Sequence, residues 1–339
     1  MKRIIFFIIT NIAILLVLSI FLSLTGFTGI LQSNGIDLNY ESLMLFSLVF
    51  GMGGSFISLY MSKWMAKSMA GVKVIKSPSN EFEKWYFNIV EKQANILDIK
   101  MPEIGIFQSE GPNAFATGSS RNSSLVALSS GLIHSMSRDE IEAVIGHEMS
   151  HVANGDMVTL TLIQGIVNAF VIFFSRIIGH FVDRVILKNE RGYGIGYFVT
   201  TIFAQIILAI LASTIVCWYS RRREFYADYG GAQLTSKESM IASLKALQKY
   251  SSAKLPDQML AFGISNKGHT SMVQKLFSTH PPLSKRIEAL QEAGGFDVLE
   301  KEVQEIESRA TFALYACVVI ALHSSFLWGY HPLSSILKD

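Results

Sequence analysis

Long uncharged stretches alternate with polar ones along the chain. About 20 apolar residues span the hydrocarbon core of a bilayer as a helix, and the uncharged stretches reach or approach this length. They occupy residues 4–24, 42–62, 157–175, about 197–220 and 310–337. The first follows Lys2 and Arg3 and lacks a small-x-small cleavage site, so the pattern predicts a retained signal anchor.

This alternation predicts five segments. They are an N-terminal transmembrane hairpin (1–62), a first polar region (63–156), a second membrane hairpin (157–220), a second polar region (221–309) and an apolar C-terminal extension (310–339). Neither polar region is long enough for a complete core of its own, so we expect the two to pack together. The extension is either a fifth span or a helix that lies in the membrane interface.

The polar regions show a mixed pattern of secondary structure. Residues 81–97 have the pattern of a helix, and residues 103–108, 113–117 and 124–128 that of short strands separated by Gly, Pro, Asn and Ser. Mostly helical patterns follow. The predicted fold is therefore a membrane protein with α-helical transmembrane spans and a mostly helical α+β domain with a small sheet.

Lysine and arginine in the loops predict the orientation in the membrane. Lys2 and Arg3 precede the first span, several lysines follow the second, and Arg221–Arg223 follow the fourth. This distribution places the polar regions in the cytoplasm. The predicted loop 176–191 is also basic, although it would lie outside. Either the positive-inside rule does not hold for this loop, or the second hairpin does not fully cross the membrane. A full crossing is the favoured interpretation.

Composition agrees with a membrane protein and excludes several classes. Only 17% of the residues are charged, against about a quarter in soluble domains, and the mean hydropathy is +0.35. A net charge of +2, without a basic stripe, does not suggest a nucleic-acid partner. The two cysteines, Cys217 and Cys317, lie in apolar blocks and supply neither a disulfide framework nor a thiolate metal site.

A helix is predicted from Arg138 to residues 154–155, in the stretch SRDEIEAVIGHEMSHVANGD. Ser137 followed by Glu140 is a capping-box pattern, and apolar residues recur behind it at helical spacing. The helix carries His-Glu-x-x-His, in which His147 and His151 lie one turn apart on one face. Two such imidazoles can bind one zinc ion.

Glu148 lies beside the two histidines, where its carboxylate can reach a zinc-bound water without binding the metal. That arrangement suits a general base. Metal binding without catalysis is the alternative, and it does not require Glu148.

A catalytic zinc site needs a third protein ligand and one open position. The stretch SRRREFYADYGGAQL, directly after the fourth span, offers Glu224 as that ligand and Asp228 one turn later. Asp228 could accept a hydrogen bond from a ligand histidine and fix its orientation. The alternative is that Glu224 pairs with Arg221 or Arg222 on a solvated helix. Because the membrane hairpin would hold both metal-bearing segments together, we expect the site at the membrane interface.

Several motifs together resemble the HtpX family of bacterial inner-membrane zinc metalloproteases, which is related to the CAAX prenyl endopeptidases. The motifs are MKRIIFFIITNIAILLVLSI, GGSFISLYMSKWMAK, NAFATG, GHEMSHVANGDMVTLTLIQG, SRRREFYAD and STHPPLSKRIEAL, and the resemblance covers about residues 1–293 in order. It implies a multi-pass protein of the bacterial inner membrane with a zincin-like catalytic domain facing the cytoplasm. This chain departs from the family by adding about 45 C-terminal residues.

The resemblance also implies a function. It implies one Zn²⁺ per chain held by His147, His151 and Glu224, with Glu148 as the base. The substrates would be damaged or misassembled membrane proteins, cleaved in stress-related quality control. A non-hydrolytic membrane zinc-binding scaffold or adaptor is the alternative, and a transporter is disfavoured because no paired ionisable residues lie at mid-span.

Further roles rest on the same resemblance. Asn113 and Ala114 resemble the edge-strand segment that holds the substrate main chain, for which backbone pairing is suited; otherwise Asn113 is a turn residue. After Pro281-Pro282 a new helix is expected near Ser284. His280 could donate to the oxyanion of the tetrahedral intermediate, or have only a local structural role. Arg286 is expected to brace the site or to pair with Asp228.

Overall fold

The computed structural model describes residues 39–189, 192–253 and 277–292. Contacts divide these residues into two units, a smaller one of residues 39–44, 173–189 and 192–205 and a larger one with the remainder. The predicted first span (4–24) and the apolar extension (310–339) lie outside the described residues, so their predictions stay predictions.

Three described helices are long and apolar enough to cross a membrane. They are α1 (Tyr40–Met69), α5 (Asp156–Phe181), which continues as a π-helix (Val182–Ile186), and α6 (Ile195–Leu234). The predicted blocks 42–62, 157–175 and 197–220 lie within them. Large apolar side chains such as Phe50 and Leu211 are exposed on these helices, as expected for lipid-facing positions.

The smaller unit has its own apolar core. Phe173 and Ile177 are buried there, against Tyr40, Leu43 and Met44. These contacts join the beginning of α1 to the second half of α5.

The predicted loop 176–191 is wrong in where it begins, because helical structure continues to Ile186. Two charged residues of this stretch, Asp183 and Arg184, lie on its helical part and bond to residues beyond the helix end. The buried carboxylate of Asp183 accepts hydrogen bonds from the Gly194 N–H (3.0 Å) and the Asn189 side-chain amide (2.9 Å). The Arg184 guanidinium donates to the Asn189 carbonyl. Charge alone therefore did not mark the end of the helix.

The larger unit contains a four-stranded sheet. Its strands are β1 (Lys73–Val74), β2 (Glu103–Phe107), β3 (Ala114–Ser120) and β4 (Ser123–Ser129), in the order β1-β2-β4-β3. β2 runs parallel to β4, and the other two pairs are antiparallel. The three predicted strands are confirmed, whereas the two-residue β1 is too short to give a periodic signal. β3 is an edge strand.

Among the described residues, five further helices belong to the larger unit. They are α2 (Glu81–Ile96), α3 (Ser130–Ser135), α4 (Arg138–Asn154), α7 (Lys237–Ala253) and α8 (Leu283–Glu292). Ile145 and Met149 of α4 pack with Val126 and Leu128 of β4 in the main core. The fully buried Tyr86 of α2 donates a hydrogen bond to the Val126 carbonyl (3.0 Å). The expected α+β fold with a small sheet is confirmed.

Helix α1 is joined to both the sheet and α5. Lys63 and Lys67, near its C-terminal end, both form ion pairs with Glu103 of β2. Farther along, a Cβ on Gly51 would lie 2.4 Å from the Ala169 backbone nitrogen, so this glycine permits a close helix contact. Gly53 and Gly54, by contrast, face open space.

Candidate metal centre

Helix α4 presents both histidines as the sequence predicts. The capping box of Ser137 and Glu140 is present at its N-terminus, and Gly155, in the left-handed conformation (φ 65°), ends it. The Nε2 atoms of His147 and His151 lie 3.2 Å apart. The two rings therefore converge on one point.

Glu224 reaches that point from α6. Its Oε2 lies 3.6 Å from His147 Nε2, and its Oε1 lies 3.5 Å from His151 Nε2. One candidate ligand atom from each of the three residues lies within 4.8 Å of the others. His147 and Glu224 are buried, with 7% and 3% exposure. The structure thus brings together the three residues expected to bind metal.

Each histidine has a carboxylate at its outer nitrogen. His147 Nδ1 lies 3.0 Å from Asp228 Oδ1, as the sequence suggested for Asp228. His151 Nδ1 lies 2.7 Å from Asp156 Oδ2, a distance at which the ring N–H donates to the carboxylate. Sequence reasoning missed Asp156 because it begins the next helix. The usable signal was Gly155, since a left-handed turn at the end of α4 returns the chain toward the last turn of that helix.

Two arginines support these carboxylates. Arg286 of α8 donates to both oxygens of Asp228, and its Nη1 lies 2.9 Å from Glu224 Oε2. The expectation that Arg286 pairs with Asp228 is therefore met in the structure. Arg223, which the sequence analysis did not assign to the site, lies with its Nη2 2.6 Å from Asp156 Oδ1.

The alternative pairing of Glu224 with neighbouring arginines is not present. Arg221 donates to the Ser278 carbonyl (2.7 Å), and the Arg222 guanidinium lies over the Trp218 ring. His280 instead approaches Glu224, with Nδ1 2.9 Å from Oε2, while 64% of its side chain stays exposed.

Negative charge dominates the electrostatics of the cluster. Burial lowers the pKa of His151, but the hydrogen bonds to Asp156 and Glu224 outweigh that effect and raise it to about 10. Proximity to the Glu224 carboxylate raises the pKa of His280, and the charge of Glu148 acts in the same direction. Glu148 is half-buried on α4, and its negative charge contributes to raising the pKa of both His151 and His280.

These residues fit a divalent metal ion. Two imidazoles and one carboxylate form a donor set typical of catalytic zinc sites. The carboxylates at the Nδ1 atoms leave both Nε2 atoms directed toward Glu224, as in carboxylate–histidine–metal arrangements.

The predicted substrate-binding residues lie at one end of the edge strand. Asn113 directly precedes β3, and its carbonyl accepts a hydrogen bond from the Ser129 N–H (2.8 Å). Ala114 begins the strand opposite Leu128 of β4. One side of β3 pairs with β4, and among the described residues no strand pairs with the other side. Ala114 and Ala116 also pack against the core that α4 helps to form.

The protein has a cluster of two histidines and one carboxylate where the helix with His-Glu-x-x-His meets a helix long enough to cross a membrane. Such a cluster is typical of a membrane metallopeptidase. Residues 81–294 match Peptidase family M48. The chain is 56% identical over 294 residues to the protease HtpX homolog of Nitrosomonas europaea, covering 86% of this chain and 100% of that protein. It is 53% identical over 296 residues to the protease HtpX of Pseudomonas putida, covering 87% and 100%.

A solved structure agrees with the fold. The crystal structure of Ste24p from S. mikatae matches with a TM-score of 0.50 at 18% identity, covering 78% of this chain and 66% of that chain. The chain therefore belongs to Peptidase family M48, and the two relatives above are HtpX proteases. The resemblance seen in the sequence is confirmed, and the protein is a membrane metalloprotease.

Proposed function

We propose that the protein is a zinc-dependent endopeptidase of the bacterial inner membrane that cleaves damaged or misassembled membrane proteins at the cytoplasmic face. The observation that supports this most strongly is the convergence of His147, His151 and Glu224, with Glu148 on the same helix as the histidines. A purely structural zinc site fills all its positions with protein ligands, whereas three ligands leave one position for the reaction.

One Zn²⁺ per chain is the metal that this donor set suits best. When bound, it supplies the Lewis acidity that activates a water molecule and polarises the scissile carbonyl. Glu148 takes the proton from the attacking water and later passes it to the leaving amine. Asp156 and Asp228 keep the two imidazoles in the tautomer that directs Nε2 inward.

Other residues act on the peptide. The unpaired side of β3, beginning at Asn113 and Ala114, would hold an extended substrate by backbone hydrogen bonds, largely independently of its sequence. His280, with much of its ring exposed beside Glu224, would donate a hydrogen bond to the oxyanion of the tetrahedral intermediate. Arg286 is a positioning residue, because it holds Asp228 and Glu224 from behind.

The distribution of cations supports the cytoplasmic orientation. Lys63 and Lys67 lie at the end of α1 that contacts the sheet, and Arg221–Arg223 lie on α6 beside the metal centre. By the positive-inside rule this side faces the cytoplasm. Cysteine labelling at positions 154 and 221 from the cytoplasmic side tests this, and protection of both positions would contradict it.

The decisive experiment compares Glu148→Gln with Glu142→Gln in the purified full-length protein. Glu148→Gln removes the base but none of the three ligands, so cleavage of an unfolded polypeptide should fall by about 10²–10⁴-fold while zinc content stays at one per chain. Glu142, on the same helix, forms an ion pair with Lys92 (3.7 Å) and is the matched control. Its variant should cleave at the wild-type rate.

The same assay separates the remaining roles. His280→Phe should lower turnover and leave zinc content intact; unchanged turnover would refute the oxyanion role. If wild-type protein loaded with zinc cleaves neither soluble unfolded chains nor membrane-anchored ones, the endopeptidase proposal fails and a zinc-binding scaffold is the better explanation.

A further inference from the structure

A cavity of about 390 Å³ lies among α1, α5 and α6 within the larger unit. All of its lining residues except Thr279 lie on the three helices that are long enough to span a membrane. Most of the lining side chains carry hydroxyl or amide groups: Ser55, Ser58, Thr161, Gln164, Asn168 and Ser220.

Several polar side chains at one cavity are unusual within such apolar helices, even though more of the cavity surface is apolar than polar. All three helices are apolar enough over most of their length to cross a membrane. Some of the polar groups bind one another, since the Gln164 amide donates to Asn168 (2.8 Å) and Asn168 to Ser55 (3.5 Å). Polar side chains that only join helices allow close packing. Here space is left beside them, and Gly54 faces the cavity with nothing within 4 Å of the position its Cβ would occupy.

The cavity adjoins the metal centre. Ser220 precedes Glu224 by four residues, or one turn of α6, and Thr161 follows Asp156 by five residues on α5. Thr279 is next to His280, whose ring contacts Glu224. The cavity thus begins about one helical turn, roughly 5.4 Å of helix rise, from the groups that hold and orient the proposed metal ligands.

We propose that this cavity receives the unwound end of the substrate's own membrane-spanning segment, next to the bond to be cleaved. The proposal rests on the proposed function and specifies its substrate as a polypeptide cut close to its span. An edge strand binds an extended chain, so substrate residues near the scissile bond cannot keep their helical hydrogen bonds.

The energetic reason is the state of the substrate backbone. At membrane depth each unpaired N–H or C=O costs several kcal/mol unless it is buried in protein or lines a polar cavity. Ser55 and Thr161 donate to the Gly51 and Met157 carbonyls of their own helices, but their hydroxyl oxygens can still accept hydrogen bonds. The Ser58 and Ser220 hydroxyls supply donors at that depth. Its volume lies within the range of ligand-binding pockets, so it can hold a short stretch of chain.

The test fills the cavity without touching the metal centre. Gly54→Leu places a side chain in the cavity, and Gly53→Leu is the matched control because Gly53 also faces open space but does not line the cavity. Full-length variants in phospholipid vesicles are given a single-span substrate cut near its span, and a soluble peptide that repeats the residues around the cut. Gly54→Leu should slow only the membrane-anchored substrate, by about tenfold.

The outcomes distinguish the cavity proposal from the proposal that the protein is an endopeptidase. Wild type that cleaves neither substrate refutes the proposed function. Wild type that cleaves both, with Gly54→Leu slowing neither or slowing both alike, refutes the cavity proposal and leaves the endopeptidase intact. An equal effect of Gly53→Leu refutes it as well.

Cross-linking gives a second measurement that does not depend on turnover. A photoreactive phenylalanine derivative replaces Gly54 or Gly53 in the Glu148→Gln background. Position 54 should cross-link to the substrate's span and position 53 should not. Absence of a cross-link from position 54 would overturn the proposal.

Discussion

At the scale of single residues, the two histidines are held in the same way by different parts of the chain. Asp228 on α6 binds the outer nitrogen of His147, and Asp156 at the start of α5 binds that of His151. A carboxylate in this position fixes the ring orientation and makes the imidazole a stronger ligand. The order of the centre therefore depends on residues that do not themselves contact the metal.

Asp156→Asn should weaken metal binding by about 10–100-fold, because the neutral amide supports His151 less strongly than the carboxylate does. It also removes the charge that Arg223 pairs with. Zinc affinity is measured by competition with a chelator. Asp139→Asn, an exposed change in the first turn of α4, should leave the affinity unchanged; equal affinities of Asp156→Asn and wild type would contradict the role of Asp156.

At the scale of elements, the centre requires α4 and α6 to approach closely. A Cβ on Gly146 would lie 3.2 Å from the Gly231 Cα, and a Cβ on Gly231 would lie 3.0 Å from the His147 backbone nitrogen. Glycine allows the two backbones to come this near. Gly146 directly precedes His147, and Gly231 follows Glu224 by seven residues, about two turns of α6. Their contact therefore sets the distance between the histidines of α4 and Glu224 of α6.

Gly231→Val should push the two helices apart and destabilise the folded protein by about 1–3 kcal/mol, as overpacking does. Zinc affinity should fall with it because Glu224 moves away from the histidines. Thermal unfolding and zinc titration in detergent measure the two effects. Gly53→Val, which places the same side chain in open space, should change neither; a Gly231→Val protein with wild-type affinity would show that the close contact is not required.

At the scale of the whole molecule, the centre is discontinuous in sequence. His151 and Glu224 are separated by α5 and most of α6, and Arg286 and His280 come from the last described segment. A metal ion bound by such residues joins segments that are far apart along the chain. Binding to the folded state alone stabilises it by mass action.

Removal of the metal by a chelator should therefore lower the unfolding temperature. At a free zinc concentration of 100 times Kd the stabilisation is about 2.7 kcal/mol, which for a chain of this length corresponds to a decrease in Tm of roughly 4 °C. Glu148→Gln should show the same decrease, because the ligands remain. Glu224→Gln should show little or none, and a wild-type Tm that does not respond to the chelator would contradict a metal at this site.

Local patterns determined the elements. The three described membrane helices, the strands β2 to β4 and the ends of α4 follow from hydrophobic periodicity, the Ser137 cap and Gly155, all of which act between near neighbours in sequence. His147, Glu148 and His151 could be recognised together because one turn of helix brings them to one face. Glu224 and Asp228 were found by the same one-turn spacing on α6.

Tertiary structure alone decided what meets at the centre. Asp156 and Arg223 take part through a turn and a helix crossing, and no periodic pattern marks either of them. The bonds of the buried Asp183 to residues beyond the helix and the cavity among α1, α5 and α6 likewise arise from segments that meet only in the folded chain. Sequence periodicity reports which face of an element is apolar; which faces then meet, and at what distance, depends on packing between segments remote in the chain.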